Sequence, residues 1–136
     1  MGRWYSGDIN GKFWFGVQPS DDADNFGYIG DPVYDNDPPE DGEEPYALAY
    51  SFTSDYMDEI NEGIQDCVDE LGEYKEKLDA LFSENPAYDM VKVMEQIGCD
   101  KEKTMELVSV YARLLLGNEI KKCVEETGGC FFDAEL

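Results

Sequence analysis

The sequence predicts an α+β fold, in which a small antiparallel sheet packs against three helices. Three observations carry this prediction: a hairpin signal near the N-terminus, an alternating segment over residues 46–52, and helical apolar periodicity that continues to residue 127. An apolar segment after residue 129 supplies the last expected strand. At 136 residues the chain is long enough to bury a core, and we expect one domain over residues 1–136.

The first two strands are predicted by the dipeptide Asn10-Gly11, since Asn-Gly is the strongest short-range signal for a β-hairpin. A two-residue loop at these positions pairs Trp4 with Val17 further out along the strands. An isolated hairpin is only marginally stable in water. We therefore expect further strands or a helix to pack beneath it.

Residues 19–45 are predicted to form a long acidic loop within the domain. This segment carries ten acidic residues and five prolines and has no sustained periodicity. It is longer and more charged than a strand connection needs, which favours an auxiliary contact surface, with a plain spacer as the alternative. Its candidate partner-binding carboxylates are Asp35, Asp37, Glu40, Asp41, Glu43 and Glu44.

Residues 46–52 alternate large with small side chains and predict the middle strand of the sheet. Ser54 is a favourable N-cap, and the helix that it begins is expected to reach Phe82. Along this helix, apolar residues recur at steps of three and four without interruption, as in an a/d seam. The seam consists of Met57, Ile60, Ile64, Cys67, Leu71, Tyr74, Leu78 and Leu81.

Two more helices and a strand are predicted after residue 86. A short helix over roughly 87–97 is ended by Gly98. Asp100 caps a last helix that reaches Thr127. Residues 130–136 then form the strand that completes the antiparallel sheet.

The charge of the chain restricts its partners. It has 32 acidic and 10 basic residues and no histidine, which gives a net charge of −22. Nucleic acids and anionic lipids are polyanions, so we expect no direct binding to nucleic acid and none to a membrane. Basic proteins or cations are the expected partners of such a surface.

The negative charge is concentrated on one helix. Between Lys12 and Lys75, 62 residues carry 18 Asp or Glu and neither Lys nor Arg. At 100° per residue, eight further carboxylates lie within about 60° of Asp55 on the predicted helix, on the side away from the apolar seam. This acidic stripe consists of Asp55, Asp58, Glu59, Glu62, Asp66, Asp69, Glu70, Glu73 and Glu76.

Two interpretations of the acidic stripe remain open. The first is an ordinary solvated helix face, which is commonly polar. Ordinary faces interleave Lys with Glu, however, because like charges one turn apart cost ~0.2–0.5 kcal/mol a pair. The stripe runs for about 30 Å without such compensation, which favours the second interpretation, contact with a basic partner. Every stripe residue except Glu76 is therefore a candidate partner-binding residue.

Metal binding and catalysis find little support in the sequence. Asp22, Asp24 and Gly27 match positions 1, 3 and 6 of an EF-hand loop, but Phe26 and Val33 occupy positions 5 and 12, where ligands are required. There is no histidine, phosphate-binding glycine loop or nucleophile elbow. We therefore expect no enzyme activity, no catalytic residues, no metal site and no cofactor.

The four cysteines form no CxxC pair, and free buried thiols are expected, with disulfides as the alternative. The N-terminal residues contain no apolar core typical of a signal peptide. No apolar run approaches the ~20 residues that a membrane helix needs. These features together predict a cytoplasmic protein.

In general character the chain resembles the small acidic proteins that phages encode to block host defence enzymes, the nucleic-acid mimics among anti-CRISPR and anti-restriction proteins. The resemblance rests on chain length, on the base-free span 13–74 and on the acidic stripe. It implies a viral inhibitor that occupies the basic channel of a nucleic-acid-processing enzyme in the host cytoplasm, with stripe carboxylates in place of phosphates. One alternative is a homo-oligomeric interaction or ligand-binding module that associates through the a/d seam or a sheet edge. Another is an acidic buffer for cations or basic chaperone clients, which predicts weak binding to many targets.

Overall fold

A computed structural model of the chain describes residues 4–9, 11–12, 20–36, 38, 40–84 and 90–136. Within these ranges the chain forms five strands, four α-helices and two 3-10 helices, and the predicted α+β class is confirmed. The strands are β1 (Trp4–Gly7), β2 (Gly11–Lys12), β3 (Asp31–Val33), β4 (Ala47–Thr53) and β5 (Gly129–Glu135). The α-helices are α1 (Met57–Leu71), α2 (Tyr74–Glu84), α3 (Met90–Ile97) and α4 (Lys101–Thr127), and the 3-10 helices are Asp22–Phe26 and Ser54–Tyr56.

The strands form one antiparallel sheet in the order β2-β1-β5-β4-β3. The C-terminal strand β5 therefore lies at the centre of the sheet. A C-terminal strand that completes the sheet was predicted from the sequence. It pairs with β4 along its whole length, from Ala47 opposite Glu135 to Thr53 opposite Gly129. On its other side it pairs with β1, where Tyr5 lies opposite Ala134.

The predicted N-terminal hairpin is present, but its predicted register is wrong. Trp4 pairs with Lys12, whereas a two-residue loop would have paired it with Val17, which lies outside the described residues. The reason is the contact of β1 with β5. The backbone of Gly7 has φ +123°, and a Cβ atom there would lie 2.6 Å from the carbonyl oxygen of Phe131. Pairing with β5 thus determines where β1 ends, and the loop to β2 is longer than the turn signal alone predicts.

The long helix predicted from Ser54 to Phe82 is broken at Gly72, which corrects the prediction of three helices to four. Gly72 has φ +55°, a conformation that glycine adopts at little cost. Its N–H donates the last hydrogen bond of α1, to the carbonyl of Val68 at 3.0 Å. The apolar residues of α2 also pack in the core, so the apolar spacing continues past Gly72. For this reason periodicity alone does not reveal the break. The a/d seam is therefore no continuous surface, and its α1 part is buried against α4.

The start of the helical region also differs from the prediction. Residues Ser54–Tyr56 form a 3-10 helix, and α1 begins only at Met57. Neither helix start has a side-chain capping bond, so Ser54 does not act as the predicted N-cap of α1. The later predictions hold: Asp100 caps α4 by accepting a bond from the Lys103 N–H at 2.8 Å. The helix α4 ends at Thr127, as predicted.

The segment predicted as a long acidic loop contains regular structure. Its first part forms the 3-10 helix Asp22–Phe26, and β3 adds an edge strand to β4. Ala23 and Phe26 are fully buried, and Phe26 packs between α1 and α4. These elements were not predicted, because the segment is rich in acidic residues and proline. Only two apolar side chains, Ala23 and Phe26, anchor the 3-10 helix, too few to give a periodic pattern.

The core has two parts joined by α1 and α4. The first lies between the helices and one face of the sheet, and the second lies among the four helices. Tyr50, Phe52 and Phe132 line the sheet side of the first part, opposite Ile60 and Ile120. In the described part of the chain no helix is both long and apolar enough to cross a membrane.

Candidate partner-binding surface

Six predicted binding carboxylates lie on α1 and are exposed to solvent. We call this set the α1 acidic face; it consists of Asp58, Glu59, Glu62, Asp66, Asp69 and Glu70. At 100° per residue the six cover an arc of about 120°. The buried residues Ile60, Gly63, Cys67 and Leu71 lie on the other side of the same helix. The burial of this apolar line against α4 therefore fixes the direction in which the carboxylates point.

No carboxylate of the α1 acidic face forms an ion pair in the described part of the chain. The ion pairs found there are Lys75–Asp79, Lys103–Glu106 and Arg113–Asp22, and none includes an α1 carboxylate. The Gln65 side-chain amide donates a hydrogen bond to Asp69 at 2.9 Å, which orients that carboxylate without neutralising it. None of the six carboxylates is therefore neutralised by a direct ion pair among the described residues.

The break at Gly72 shortens the predicted stripe. Asp55 lies in the 3-10 helix before α1, and Glu73 lies in the turn after it. Both are exposed, but neither continues the α1 helix geometry. Glu76 belongs to α2 and leaves the row altogether. The predicted length of about 30 Å is therefore wrong, and the six carboxylates from Asp58 to Glu70 extend over about 18 Å at 1.5 Å per residue.

The candidate carboxylates of the acidic loop lie in the connection between β3 and β4. Asp35, Glu40, Asp41 and Glu44 are exposed, and Asp37 lies outside the described residues. All of them follow β3, whose last residue Val33 accepts a hydrogen bond from the Tyr46 N–H at 2.9 Å. The connection is thus a hairpin loop that begins and ends at one point of the sheet edge.

Glu43 differs from the other loop carboxylates because it organises the loop itself. Its carboxylate accepts bonds from the side-chain amide of Asn36 at 2.8 Å and from the backbone N–H groups of Asn36 and Glu40 at 3.3 and 3.2 Å. The hydrogen bond from the Asn36 side chain is the main cause that lowers the pKa of Glu43. Its carboxylate is therefore engaged within the chain, and we assign it to the loop structure.

The structure separates the loop carboxylates from the start of the α1 acidic face. The loop enters β4 at Ala47, whereas the path to α1 leaves β4 at Thr53. Six steps of ~3.3 Å place these two ends about 20 Å apart. The predicted site residues therefore form two acidic regions at opposite ends of one strand.

The two acids of the EF-hand-like segment have partners within the chain. The carboxylate of Asp22 is buried and accepts a bond from the Arg113 Nε–H at 2.7 Å. Asp24 accepts bonds from the Tyr50 hydroxyl at 2.6 Å and from the Gly30 N–H at 3.0 Å. These carboxylates attach the 3-10 helix to α4 and β4. Among the described residues, no group of three His, Cys, Asp or Glu side chains is arranged to hold a metal ion.

No family model, curated protein or solved structure matches the chain significantly. One surface was overlooked in the sequence: β5 exposes Phe131, Asp133 and Glu135 and buries the residues between them. The alternation within residues 130–135 was the signal that could have identified it.

Proposed function

We propose that the protein is a non-enzymatic acidic inhibitor that occupies the basic channel of a nucleic-acid-processing enzyme, such as a defence nuclease. In this proposal, the carboxylates of the α1 acidic face take the place of nucleic-acid phosphates. The observation that carries the proposal is the row of six exposed carboxylates on one helix face, with no cation paired to them in the described part of the chain.

The linear charge density of α1 supports this role. The six charges are separated by five intervals over about 18 Å, which gives a mean spacing of about 3.6 Å along the helix axis. One strand of duplex DNA carries one phosphate per ~3.4 Å of axis. A basic groove that binds one strand of nucleic acid would therefore meet a similar density of negative charge along α1.

The rigid attachment of α1 supports the same role. Ile60, Cys67 and Leu71 are buried against the rest of the molecule, so the carboxylates are presented by a helix whose position is fixed. A preorganised set of charges loses little conformational entropy on binding. Association is expected to be fast and sensitive to salt, because a highly charged surface attracts its partner over long range and both surfaces release counterions.

The acidic loop has a secondary role in the proposal. Asp35, Glu40, Asp41 and Glu44 add charge about 20 Å from the start of the α1 acidic face, as estimated along β4. A basic channel long enough to bind nucleic acid can contact both regions. Because Glu43 holds the loop in shape, loop contacts should be more sensitive to Glu43→Ala than to loss of one exposed carboxylate. The site of action is the cytoplasm, where such host enzymes act.

A charge-reversal experiment tests the proposal. The test variant carries Glu62→Lys, Asp66→Lys and Asp69→Lys, all on the α1 acidic face. The matched control carries Glu95→Lys, Glu125→Lys and Glu126→Lys, which lie on α3 and α4, are exposed and change the net charge equally. Each tagged protein is used to capture partners from a lysate of the host cell. We expect the test variant to lose a nucleic-acid enzyme that the wild type and the control retain. Equal capture by both variants would refute the role of α1.

A further inference from the structure

One face of the sheet has no helix packed on it in the described part of the chain. The helices α1 and α4 cover the face formed by Tyr50, Phe52 and Phe132. Side chains alternate along a strand, so the intervening residues of β5 point to the opposite face. There Phe131, Asp133 and Glu135 are all exposed. We call this side of the sheet the open face.

The register surrounds this row with small residues. Phe131 lies opposite Ser51 on β4, and Glu135 lies opposite Ala47. Asp133 lies between Ala49 on β4 and Ser6 on β1. Directly opposed residues project from the same face of a sheet, so the larger β5 side chains extend beyond the small residues on either side of them. The open face thus offers one aromatic ring and two carboxylates that neighbouring side chains do not cover.

Phe131 is exposed over 53% of its surface but is held in place. Its ring lies over Gly129, where a Cβ atom would be 2.9 Å from the ring atom Cε2. Asp8 fixes the backbone of Phe131: the Asp8 N–H donates to the Phe131 carbonyl at 2.9 Å, and the Phe131 N–H donates to the Asp8 carboxylate at 2.9 Å. A rigid exposed aromatic side chain is a typical anchor of a protein–protein contact.

A small cleft of about 130 Å³ lies beside the two carboxylates. Ser6, Tyr46, Ala47, Asp133 and Glu135 line it. Tyr46 is 48% exposed, which leaves a second aromatic residue accessible at the same place. No ion pair in the described part of the chain involves Asp133 or Glu135. The cleft therefore combines negative charge with aromatic surface.

We propose that the open face binds an extended arginine-rich segment of a basic protein, with one guanidinium group in the cleft between Asp133 and Glu135 and another stacked on Phe131. Guanidinium matches both features, because it is planar, stacks on aromatic rings and donates paired hydrogen bonds to carboxylates. The ammonium group of lysine is not planar, so it can neither stack flat on a ring nor donate paired hydrogen bonds to a carboxylate. Phe131 and Asp133 are about 6.6 Å apart along β5, the spacing of alternate residues in an extended partner segment.

This site lies on the other side of the sheet from α1 and does not require nucleic-acid mimicry. It can be tested with the full chain, labelled with ¹⁵N, and the peptide Arg-Gly-Arg-Gly-Arg as the probe. We expect amide shifts to concentrate at residues 46–47 and 131–135 in NMR titrations. The Phe131→Ala variant should bind about three- to five-fold more weakly, as expected for loss of a cation–π contact at an exposed site. The lysine analogue of the peptide should bind more weakly than the arginine peptide.

A matched pair of variants separates the site from the general charge of the protein. Asp133→Asn with Glu135→Gln removes two charges from the open face, and Glu62→Gln with Asp66→Asn removes two from the α1 acidic face. We expect only the first pair to reduce the affinity and the shifts at residues 131–135. The proposal would be overturned if both pairs weakened binding equally, if the lysine peptide bound as tightly, or if the shifts were spread over α1. Phe131 is exposed, and an unchanged circular dichroism spectrum verifies that its variant is folded.

Discussion

The ring of Phe26 lies so close to Gly117 of α4 that a Cβ atom there would be 2.5 Å from the ring atom Cε1 and 2.6 Å from Cζ. A Cβ atom at Gly63 of α1 would likewise be 2.6 Å from the ring atom Cδ1. Two glycines thus make room for one aromatic ring between the helices. This contact docks the acid-rich 3-10 helix onto the helix that presents the α1 acidic face.

The first prediction concerns Gly117→Ala. The new methyl group would overlap Phe26, and overpacking of this kind costs about 1–3 kcal/mol. Alanine favours a helix over glycine by about 1 kcal/mol, which offsets part of the loss. We expect a net decrease of up to about 2 kcal/mol in the free energy of unfolding, measured by urea denaturation.

A double-mutant cycle with Phe26→Leu provides the control for this prediction. Leucine lacks the ring atoms that approach Gly117, so Gly117→Ala should cost less in the Phe26→Leu background than in the wild type. A coupling free energy near zero would show that Phe26 does not restrict position 117.

The second prediction concerns the ion pair of Asp22 and Arg113. The Asp22 side chain is fully buried and that of Arg113 is 27% exposed. Removal of one partner of a buried pair costs 3–5 kcal/mol, and the partial exposure of Arg113 reduces this to about 2 kcal/mol for Asp22→Ala. Asp21→Ala serves as the control, because Asp21 is the exposed neighbour. Equal stability of the two variants in urea would contradict the structural role of Asp22.

The third prediction concerns the reactivity of the cysteines, all four of which are free thiols. Burial raises the pKa of Cys67 to about 11, and burial followed by a hydrogen bond with Cys123 raises the pKa of Cys130. A thiol needs its thiolate form to react. At pH 8 we expect iodoacetamide to label the half-buried Cys99 and Cys123 first, as located by peptide mass spectrometry. All four should react in urea; rapid native labelling of Cys67 or Cys130 would contradict the burial.

The fourth prediction concerns Glu119, which lines a cavity of about 430 Å³ on α4. Glu119 is exposed at the surface, but partial loss of solvent around its carboxyl group raises its pKa above the ordinary value of 4.5. The ionised form is then less favourable in the folded chain than in the unfolded one, and this cost appears as the pH rises through the folded-state pKa. We therefore expect Glu119→Gln to raise the melting temperature at pH 8, with a smaller gain at pH 5.

Glu126→Gln is the matched control for Glu119→Gln, because it removes one charge from the same helix and lines the same cavity. Any general relief of repulsion would appear in both variants. If both raise the melting temperature by the same amount at pH 8, the effect reflects net charge and not the desolvation of the Glu119 carboxyl group.

The sequence predicted those parts of the fold whose signals are local. Asp100 caps α4 and β5 forms at the predicted segment, because a cap and a short strand each depend on a few neighbouring residues. The break at Gly72 was not predicted, because the apolar spacing is the same on both sides of it. The hairpin register was wrong because the contact of Gly7 with β5 involves residues more than 120 positions away.

The exposure of the candidate carboxylates was predicted in part. The exposed carboxylates of α1 follow from helical periodicity, so Asp58 to Glu70 were found correctly as one exposed row. The structural roles of Asp22 and Glu43 could not be predicted, because their partners are set by tertiary contacts and loop geometry. An acidic composition does not distinguish a carboxylate that organises the chain from one that is available to a partner.

The central claim is that the chain competes with nucleic acid for a basic enzyme. The most direct measurement is capture of partners from host lysate by the tagged protein at low salt, followed by elution with DNA or RNA and identification by mass spectrometry. We expect one dominant nucleic-acid enzyme, displaced by the competing nucleic acid. Release of many basic proteins together by salt, with none displaced selectively by nucleic acid, would contradict the claim.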